Sequence, residues 1–528
     1  MRVVILGGGS AGVSSATHLR RSDENAEIII IEPTEELAVS SCGLPYMIAG
    51  KIKDKDELVG ATPAQMRQIF NIDVRLNTEV LSWNVAEKRL FLSGGDSLVY
   101  DKLILAMSGL QLRPDISGVL RDTVLTLHTL SSAQKISDYF RGLDARRVIV
   151  LGGGLVGLKT AEALTQAGAS VTVIDKRPHL LEDFDYDTAA KIKHILEESG
   201  LNIITGTSLK EFMQDKAVLS NGLRLKYDMA VAATGSSSDM RLPVMADIRL
   251  GKTGGILVDK NMKTSVEDVF ACGENIELED MTTHLPQRLK NAADIIRSAK
   301  IAADNACGVQ TRFEKFLPCR LMTLFDYSIG ISGANEDGLN AAGIPYFRLY
   351  FSQPSAETYL QPSPVNGKLL FGLDGALLGV QLFGKHGVES RLNILSALMA
   401  QGANVTDLTA LPRAYAPEFS KAKDVLNNLG SLAEEIVSGG LKTADLSSLK
   451  EDDILLNVCA PAKFEQFNKA KALHIPLFAL RDTLASLPKD KKIILSCGGG
   501  YAAYLAYRIL TQRGFERVFL LNSPDVWA

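Results

Sequence analysis

Short apolar runs alternate with longer segments of mixed polarity over residues 1–308. The runs are rich in Val and Ile, as in residues 2–6, 27–31 and 170–174. Each run has the length of one strand, and the segment that follows it has the length and apolar spacing of a helix. This alternation predicts α/β domains, in which parallel sheets carry helices on both faces.

The pattern changes after Phe313 to strands separated by turn residues. The run GKLLFGLDGALLGVQLFG predicts a hairpin that turns at residues 373–375. Helical segments follow, and Gly439-Gly440 marks a predicted linker. Residues 440–528 again combine apolar runs with a helix and form a compact α/β unit. A chain of 528 residues is too long for one core and should hold three or four domains.

A Gly-rich motif joins the first predicted strand to the first helix. Gly7, Gly9 and Gly12 have the spacing G-x-G-x-x-G, and Glu32 ends the next strand, twenty residues beyond Gly12. In this motif the glycines permit a tight turn, close approach to a pyrophosphate and close helix packing, while the acidic residue accepts hydrogen bonds from ribose hydroxyls. The spacing predicts a dinucleotide site.

The same motif occurs again at Gly152, Gly154 and Gly157, and the following strand ends in Asp175, eighteen residues past Gly157. Two complete copies, each in strand, turn, helix and strand context, predict two bound dinucleotides. Asp175 would hydrogen-bond the ribose of NADH and repel the extra phosphate of NADPH. The two basic residues that follow it oppose this preference, so NADH is favoured only modestly.

Cys42, in the run SSCGLPY, follows the acidic end of the first unit by ten residues. A thiol at this place can lie near the reactive ring of a flavin, and the later stretch TSVEDVFACGEN looks like a segment that closes FAD sites. We therefore assign FAD to the first unit and NAD(P)H to the second. Redox chemistry between a flavin and sulfur is the hypothesis that follows.

Composition narrows the possible partners. The net charge is −4 and no long basic stretch occurs, so nothing favours nucleic-acid binding. The first strand begins at once and no segment reaches the ~18 apolar residues that span a bilayer, so we expect no signal peptide, no membrane and a cytoplasmic enzyme. The six cysteines, at 42, 272, 307, 319, 459 and 497, show neither CxxC nor zinc-like spacing, so we expect no metal and no structural disulfide.

The order of these features resembles the coenzyme A disulfide reductases and NADH-dependent persulfide reductases, a branch of the pyridine nucleotide disulfide oxidoreductases, in the form fused to a C-terminal rhodanese domain. The resemblance covers nearly the whole chain and rests on both glycine motifs, CGLPY at 42–46, AATG at 232–235, DVFACGE, YAPEFSKAKD at 415–424 and a C-terminal cysteine loop. It implies an FAD-binding domain at 1–108 and 236–308, an NAD(P)-binding domain at 109–235, both Rossmann-like, an α+β dimerisation domain at 309–431 and a rhodanese-like α/β domain at 440–528.

The resemblance also implies roles for individual residues. Cys42 would cycle between a thiolate and a mixed disulfide with coenzyme A, or a persulfide, and a helix beginning near GLPYMIAG would direct its positive end at the thiolate. Tyr359 and Tyr415 would meet the substrate sulfur from the partner subunit of a homodimer, because a phenol can donate to a departing thiolate. Cys497 would carry sulfur in the rhodanese-like loop. The implied coenzyme A contacts are Ser14, His18, Arg21, Ser41 and Lys423, and further cofactor contacts are Gly235, Gly273 and Glu274.

Several positions depart from the family pattern. Glu274 replaces the usual Asp of the closing FAD segment, and Leu360 replaces a second tyrosine beside Tyr359. In the C-terminal unit Ala502 stands where rhodanese loops carry Arg, and Asn457-Val458-Cys459 stands where they read Asp-Val-Arg. Losing that Arg removes a charge-assisted donor, so thiosulfate sulfurtransferase activity should be weak or absent. A structural or docking role for this domain is an equal alternative.

The sequence therefore predicts an FAD-dependent NAD(P)H oxidoreductase that reduces coenzyme A disulfide, coenzyme A persulfide or polysulfide, a small-molecule sulfur substrate, through Cys42. Two other readings remain open. One is an NADH oxidase that uses a Cys42 sulfenic acid against oxygen. The other is a sulfur-relay or docking flavoprotein whose rhodanese-like module is not catalytic.

Overall fold

The computed structural model describes residues 1–107, 109–111, 113–143, 146–461, 464, 472–497 and 500–527. Their contacts divide the chain into two units. The first contains residues 1–182 and 196–316, and the second contains residues 183–195 and 317–528.

The first unit opens with a five-stranded parallel sheet, as the apolar alternation predicts. The sheet is built from strands β1, β2, β3 and β7 of the N-terminal stretch, and a later strand completes it on the far side of β7. Val3–Leu6 and Ile28–Ile31 are buried throughout, which explains their continuous apolar sequence. The elements of this stretch are β1 (Arg2–Leu6), α1 (Ser10–Ser22), β2 (Glu27–Ile31), α2 (Leu44–Ile48), α3 (Pro63–Phe70), β3 (Ile72–Arg75), β4 (Val80–Asn84), β5 (Arg89–Leu92), β6 (Ser97–Val99) and β7 (Lys102–Leu105).

A second five-stranded parallel sheet follows, with strand order β12-β11-β10-β16-β9. The elements of this stretch are β8 (Gly109–Gln111), β9 (Val124–Thr126), α4 (Leu130–Arg141), β10 (Arg147–Leu151), α5 (Leu155–Gln166), β11 (Ser170–Ile174), α6 (Tyr186–Glu198), β12 (Asn202–Ile204), β13 (Leu209–Phe212), β14 (Lys216–Leu219), β15 (Arg224–Lys226), β16 (Met229–Ala232), β17 (Ser236–Ser238) and α7 (Arg241–Met245). Of these, α6 belongs mostly to the second unit.

The chain then returns to the first sheet, because β19 pairs in parallel with β7. This return explains how DVFACGE, far along the sequence, reaches the edge where the first Gly-rich loop lies. The elements of the return are β18 (Ile256–Leu257), β19 (Val269–Ala271), β20 (Ile276–Glu279), β21 (Pro286–Arg288) and α8 (Ala292–Ala306).

The second unit contains an antiparallel and a parallel sheet. The antiparallel sheet has the order β22-β23-β26-β25-β24, and its hairpin between β25 and β26 turns at residues 373–376, as predicted. Its elements are β22 (Cys319–Leu324), β23 (Tyr327–Gly333), α9 (Glu336–Ala342), β24 (Tyr346–Pro354), β25 (Pro364–Gly372), β26 (Leu377–Gly384), α10 (Val388–Ala400), α11 (Val405–Thr409) and α12 (Val425–Val437).

The C-terminal sheet is parallel, in the order β27-β31-β30-β28-β29. Its core is continuous with that of the antiparallel sheet. The end of the chain is fastened to β24, since the Trp527 indole N–H donates to the Phe351 carbonyl at 3.0 Å and the Tyr350 backbone N–H donates to Asn522 at 2.8 Å. The elements are β27 (Thr443–Ala444), β28 (Ile454–Asn457), β29 (Leu473–His474), β30 (Ile493–Ser496), α13 (Tyr501–Gln512) and β31 (Val518–Leu521).

Candidate functional site

The first Gly-rich loop has a backbone that accepts only glycine at two positions. Gly7 has φ of +109°, and a Cβ there would lie 2.3 Å from the Ala106 carbonyl oxygen. A Cβ on Gly12 would lie 1.8 Å from the Gly7 carbonyl oxygen. Gly9 precedes the first turn of α1, whose positive end suits a phosphate. The tight turn and the close helix packing therefore require glycine at Gly7 and Gly12.

Glu32 is buried at the end of β2 and organises the same loop. One carboxylate oxygen accepts the Gly8 backbone N–H at 2.6 Å, and the other accepts both the backbone N–H and the hydroxyl of Thr34, at 2.9 and 2.6 Å. A carboxylate has about four acceptor positions, so one remains for a ribose hydroxyl. Thr34 was not singled out from the sequence.

The second Gly-rich loop repeats this arrangement. Gly152 has φ of +106°, and a Cβ on Gly157 would lie 1.9 Å from the Gly152 carbonyl oxygen. A Cβ on Gly154 would meet no described atom within 4 Å, which leaves room for a ligand beside the loop. The Gly153 backbone N–H donates to Asp175 at 2.7 Å, as Gly8 does to Glu32.

Arg177 covers Asp175 beside this second Gly-rich loop. Its backbone N–H and Nε donate to one carboxylate oxygen, at 2.9 and 3.1 Å, and Nη2 donates to the other at 2.9 Å. With Gly153, all four acceptor positions are used. Burial opposes the charge on Asp175, but the hydrogen bonds from Arg177 and Gly153 outweigh it and lower the pKa of the carboxyl. A ribose hydroxyl therefore reaches Asp175 only when Arg177 moves, which the sequence prediction did not include.

Cys42 lies exposed in a single 3-10 turn, Ser41–Gly43, directly before α2. The turn packs closely against Leu58, because a Cβ on Gly43 would lie 2.1 Å from that side chain. The Ala38 backbone N–H donates to the Gly8 carbonyl at 2.7 Å, so the segment is also tied to the first Gly-rich loop, four residues before Cys42. The predicted helix is present but has only five residues, Leu44–Ile48, which limits its dipole.

The Cys42 segment also contacts the second nucleotide-type helix. The Lys159 ammonium in α5 lies 5.1 Å from the ring centroid of Tyr46, a cation–π distance, and Lys159 also pairs with Glu162 at 2.6 Å. Tyr46 belongs to CGLPY, and Lys159 follows the second glycine motif by two residues. The thiol segment is therefore linked to both nucleotide-type units, a link that sequence spacing could not show.

The closing segment follows β19. Gly273 has φ of +86°, and its backbone N–H donates to the Ser298 hydroxyl at 3.0 Å. Burial raises the pKa of the neighbouring Cys272 thiol to about 12, although Ser15 opposes the shift, and this favours the protonated thiol. The side-chain oxygen of Asn275, Oδ1, is buried and receives no hydrogen bond from a described residue.

Glu274 lies at this segment with its side chain exposed, and its backbone carbonyl accepts Nε and Nη2 of Arg288 at 2.8 and 2.6 Å. Desolvation by nearby protein atoms raises the pKa of the Glu274 carboxyl. Electrostatic attraction to His128 and Arg288 opposes this shift and is outweighed. Gly235, also assigned to cofactor binding, has φ of +104° in open space. The Gly-rich loop, the remaining acceptor on Glu32 and the orphaned Asn275 oxygen fit a bound FAD.

The residues assigned to coenzyme A divide between the two units. In the first unit His18 Nε2 lies 2.5 Å from Asp304, and Arg21 lies 3.2 Å from the other nitrogen of His18. Burial opposes the charge on Asp304, but Lys300 and His18 outweigh it and lower the pKa of that carboxyl. Ser14 lies one turn before His18 on α1, Arg21 is exposed, and Ser41 is exposed beside Cys42.

The two tyrosines lie together in the second unit. Tyr359 is 70% exposed and Tyr415 is 54% exposed, and the Tyr415 hydroxyl donates to Glu357 at 3.4 Å. The pKa of Tyr415 is raised by partial desolvation and by the Glu357 carboxylate, which keeps the phenol protonated as a donor. Lys423 is exposed next to the buried Asp424.

Cys497, the C-terminal candidate, lies 3.3 Å from the sulfur of Cys459. Cys459 is buried and was noted from the sequence only as a departure from a strand signature. Gly498 and Gly499 of the predicted loop lie outside the described residues. All six cysteines belong to the described part of the chain and are present as thiols.

Among the residues that the structure describes, no cluster of His, Cys, Asp and Glu has a metal-binding arrangement. None of the described helices is long and apolar enough to cross a bilayer.

Comparison with known proteins gives a consistent picture. A family model described as "Pyridine nucleotide-disulphide oxidoreductase" matches residues 1–304. The chain is 28% identical over 439 residues to the NADH oxidase of Methanocaldococcus jannaschii, covering 81% of this chain and 97% of that protein. It is 25% identical over 441 residues to the coenzyme A disulfide reductase of Staphylococcus epidermidis, covering 82% and 100%. It also resembles the solved NAD-dependent persulfide reductase from A. fulgidus, with a TM-score of 0.94, 29% identity and coverage of 100% of both chains.

Proposed function

Because the chain belongs to the pyridine nucleotide-disulphide oxidoreductase family, we propose that it is an FAD-dependent NAD(P)H oxidoreductase that reduces sulfur bonds carried by coenzyme A. The substrates are coenzyme A disulfide, coenzyme A persulfide or polysulfide. The names of the staphylococcal and A. fulgidus relatives support this sulfur chemistry.

One observation carries the proposal. Cys42 is an exposed thiol in a turn that is bonded to the first Gly-rich loop through Ala38 and contacts the second nucleotide-type helix through Tyr46. The thiol segment is therefore linked to both Gly-rich units within the first unit. Hydride transfer followed by sulfur chemistry needs this combination, because the reacting groups must approach to ~3–3.5 Å.

The residues divide the reaction between them. FAD, when bound, accepts hydride from NAD(P)H and delivers two electrons to sulfur. The Cys42 thiolate attacks a sulfur of the substrate and displaces the coenzyme A thiolate, forming a mixed disulfide or a persulfide on Cys42. Two electrons then restore the Cys42 thiolate and release the second thiol or hydrosulfide. We assign Arg21, an exposed cation, to pair with a phosphate of the substrate.

We also assign the remaining expectations as part of the proposal. FAD would occupy the domain formed by 1–108 and 236–308, and NAD(P)H the domain at 109–235. Residues 309–431 would form a homodimer, with Tyr359 and Tyr415 donating to the departing thiolate at the partner's site. Residues 440–528 would form a rhodanese-like domain. The exposure of the large apolar side chains Tyr359, Leu360, Tyr415 and Phe419 supports an interface. An active monomer in sedimentation would refute the dimer.

A second candidate is an NADH oxidase, favoured by the name of the M. jannaschii relative. In that case the exposed Cys42 would form a sulfenic acid with oxygen as the oxidant. Both candidates use the same thiol, so the identity of the oxidant separates them.

Steady-state NADH oxidation tests the proposal. We expect fast turnover with coenzyme A disulfide or persulfide under anaerobic conditions and slow turnover with oxygen alone. Cys42→Ser should lose turnover by at least about 10³-fold while NADH still bleaches the flavin, because hydride transfer does not use the thiol. Cys307→Ser serves as the matched control. Oxygen consumption that exceeds thiol-substrate turnover would favour the oxidase, and full activity of Cys42→Ser would overturn both.

A further inference from the structure

The two sulfur atoms at the C-terminal sheet lie closer than packing alone requires. Cys459 and Cys497 approach to 3.3 Å between sulfurs. We propose that they form a redox dithiol, in which Cys497 accepts a sulfane sulfur from a small persulfide and Cys459 then expels that sulfur as hydrosulfide. The proposal goes beyond Cys42, and only its final reductive step rests on the function proposed above.

The topology brings the two thiols together. β28 and β30 are adjacent parallel strands, with Asn457 opposite Ser496 in the register, so Cys459 and Cys497 both follow the carboxyl ends of their strands. The Val458 backbone N–H donates to the Ser496 carbonyl at 3.1 Å, and the Cys459 backbone N–H donates to the Asn457 side chain at 2.9 Å. The carboxyl edge of a parallel sheet is where α/β proteins place their reactive groups.

The sulfurs need only a small movement to bond. A disulfide has a sulfur–sulfur distance of about 2.04 Å, and these sulfurs already touch with both backbones fixed by hydrogen bonds. Of the six described cysteines, Cys42, Cys272, Cys307 and Cys319 lie outside this pair.

A cavity of about 100 Å³ opens on Cys497. Its walls are largely apolar, with Leu349 and Phe351 from β24, Leu455 and Leu495 from the C-terminal sheet, and Gly500 before α13. Such a volume accommodates a small group such as a terminal sulfur. The positive end of the twelve-residue α13 lies just past Gly500 and favours an anionic persulfide.

The chemistry balances without an outside metal or oxidant. In the first step the Cys497 thiolate attacks the outer sulfur of a persulfide, R–S–SH, which leaves R–SH and a Cys497 persulfide. In the second step the Cys459 thiol attacks the inner sulfur of that persulfide, forms the Cys459–Cys497 disulfide and releases hydrosulfide. The dithiol supplies both electrons that reduce the sulfane sulfur.

The disulfide is reset by thiols of the coenzyme A class. Two coenzyme A thiols reduce it by exchange through a mixed disulfide and leave as coenzyme A disulfide, which the reaction at Cys42 then reduces with NADH. The sum is one persulfide and one NADH converted to one thiol, one hydrosulfide and NAD⁺. This role also accounts for Ala502 in place of the Arg of rhodanese loops, because Cys459 rather than a bound acceptor removes the sulfur.

A single-turnover experiment tests the pair alone. Full-length, FAD-loaded Cys42→Ser protein is reduced, freed of reductant and mixed with about one equivalent of glutathione persulfide without NADH. Alkylation and peptide mass spectrometry should then show a crosslink between the Cys459 and Cys497 peptides, with about one hydrosulfide released for each chain. Adding Cys459→Ser should stop the reaction with one extra sulfur on the Cys497 peptide and at least about tenfold less hydrosulfide. Cys497→Ser should give neither product.

Controls separate the possible failures. Cys307→Ser in the same background should behave as its parent. Far-UV circular dichroism and thermal melting of each variant verify folding, with Cys459→Ala as the replacement if Cys459→Ser does not fold. Absence of the crosslink in the folded parent overturns the proposal, as does equal hydrosulfide release by Cys459→Ser. Because the experiment contains no NADH and no Cys42, its failure leaves the reductase function untouched, and the reverse also holds.

Discussion

The two nucleotide-type units share a backbone design and differ at the acidic residue that ends the second strand. In both, a loop N–H donates to a buried carboxylate, from Gly8 to Glu32 and from Gly153 to Asp175. Thr34 supports Glu32 with a short neutral side chain, whereas the long cation of Arg177 saturates Asp175.

The difference fits one scaffold that serves two ligands. The first nucleotide-type loop keeps an acceptor open on Glu32 without any rearrangement, which fits a dinucleotide that stays bound. At the second nucleotide-type loop Arg177 must move aside, and that side chain already has a second partner in Glu182. An acceptor that is exposed only when a side chain moves fits a dinucleotide that binds and leaves in each cycle.

The largest effect is expected from replacing Gly12 or Gly157 with alanine, in separate variants. A Cβ on Gly12 or Gly157 would lie within 2 Å of a carbonyl oxygen, so the helix must shift, at a cost of about 3 kcal/mol or more. Gly12→Ala should purify with little flavin. Gly157→Ala should keep its flavin and lose reduction by NADH. Flavin absorbance per chain and stopped-flow flavin reduction measure both.

Gly154→Ala is the control for this pair, since its Cβ meets no described atom within 4 Å. It should fold normally and only raise the KM for NADH. If Gly12→Ala bound FAD normally, or if Gly157→Ala lost FAD instead of the NADH response, the assignment of the two units would be wrong.

Removing Arg177 should change cofactor choice by a smaller factor. Arg177→Ala leaves the Asp175 carboxylate unshielded, so it should repel the phosphate of NADPH more strongly and accept the ribose hydroxyls of NADH more easily. We expect the NADH to NADPH ratio of kcat/KM to rise about tenfold, which corresponds to about 1.4 kcal/mol. Lys176→Ala, an exposed neighbour, should leave the ratio nearly unchanged. An equal shift in both variants would show that only net charge matters.

The smallest expected effect is a pH dependence of stability. Because the hydrogen bonds from Arg177 and Gly153 lower the pKa of Asp175 in the folded state, its contribution to stability is complete above the unfolded pKa of about 3.9 and is lost as the pH falls through the folded value. Asp175→Asn should therefore lower the Tm at neutral pH, and the gap to the parent should narrow at acidic pH. A gap that stays constant with pH would contradict this assignment.

Local sequence features predicted much of the molecule. The Val- and Ile-rich runs became the buried parallel strands, and the glycine spacing located both nucleotide-type loops because each motif is complete within about 30 residues. The hairpin after Gly372 likewise follows from turn residues that lie next to each other. In all these cases the determining contacts are close in sequence.

The missed features depend on contacts between distant segments or on side-chain orientation. Tyr46 and Lys159 are far apart along the chain, and the pairing of Cys459 with Cys497 requires the order of strands β28 and β30. Arg177 is next but one to Asp175, yet sequence alone could not decide whether it would face a ligand or the carboxylate. The structure shows that it binds the carboxylate.

Trapping the substrate on Cys42 tests the central claim most directly. Reduced, FAD-loaded protein is mixed with coenzyme A disulfide without NADH, quenched in acid and mapped by peptide mass spectrometry. We expect one coenzyme A on the peptide that contains Cys42 and no adduct there in Cys42→Ser. When NADH is added before the quench, the coenzyme A should be released from Cys42. An unmodified Cys42 in protein that still oxidises NADH with coenzyme A disulfide would contradict it.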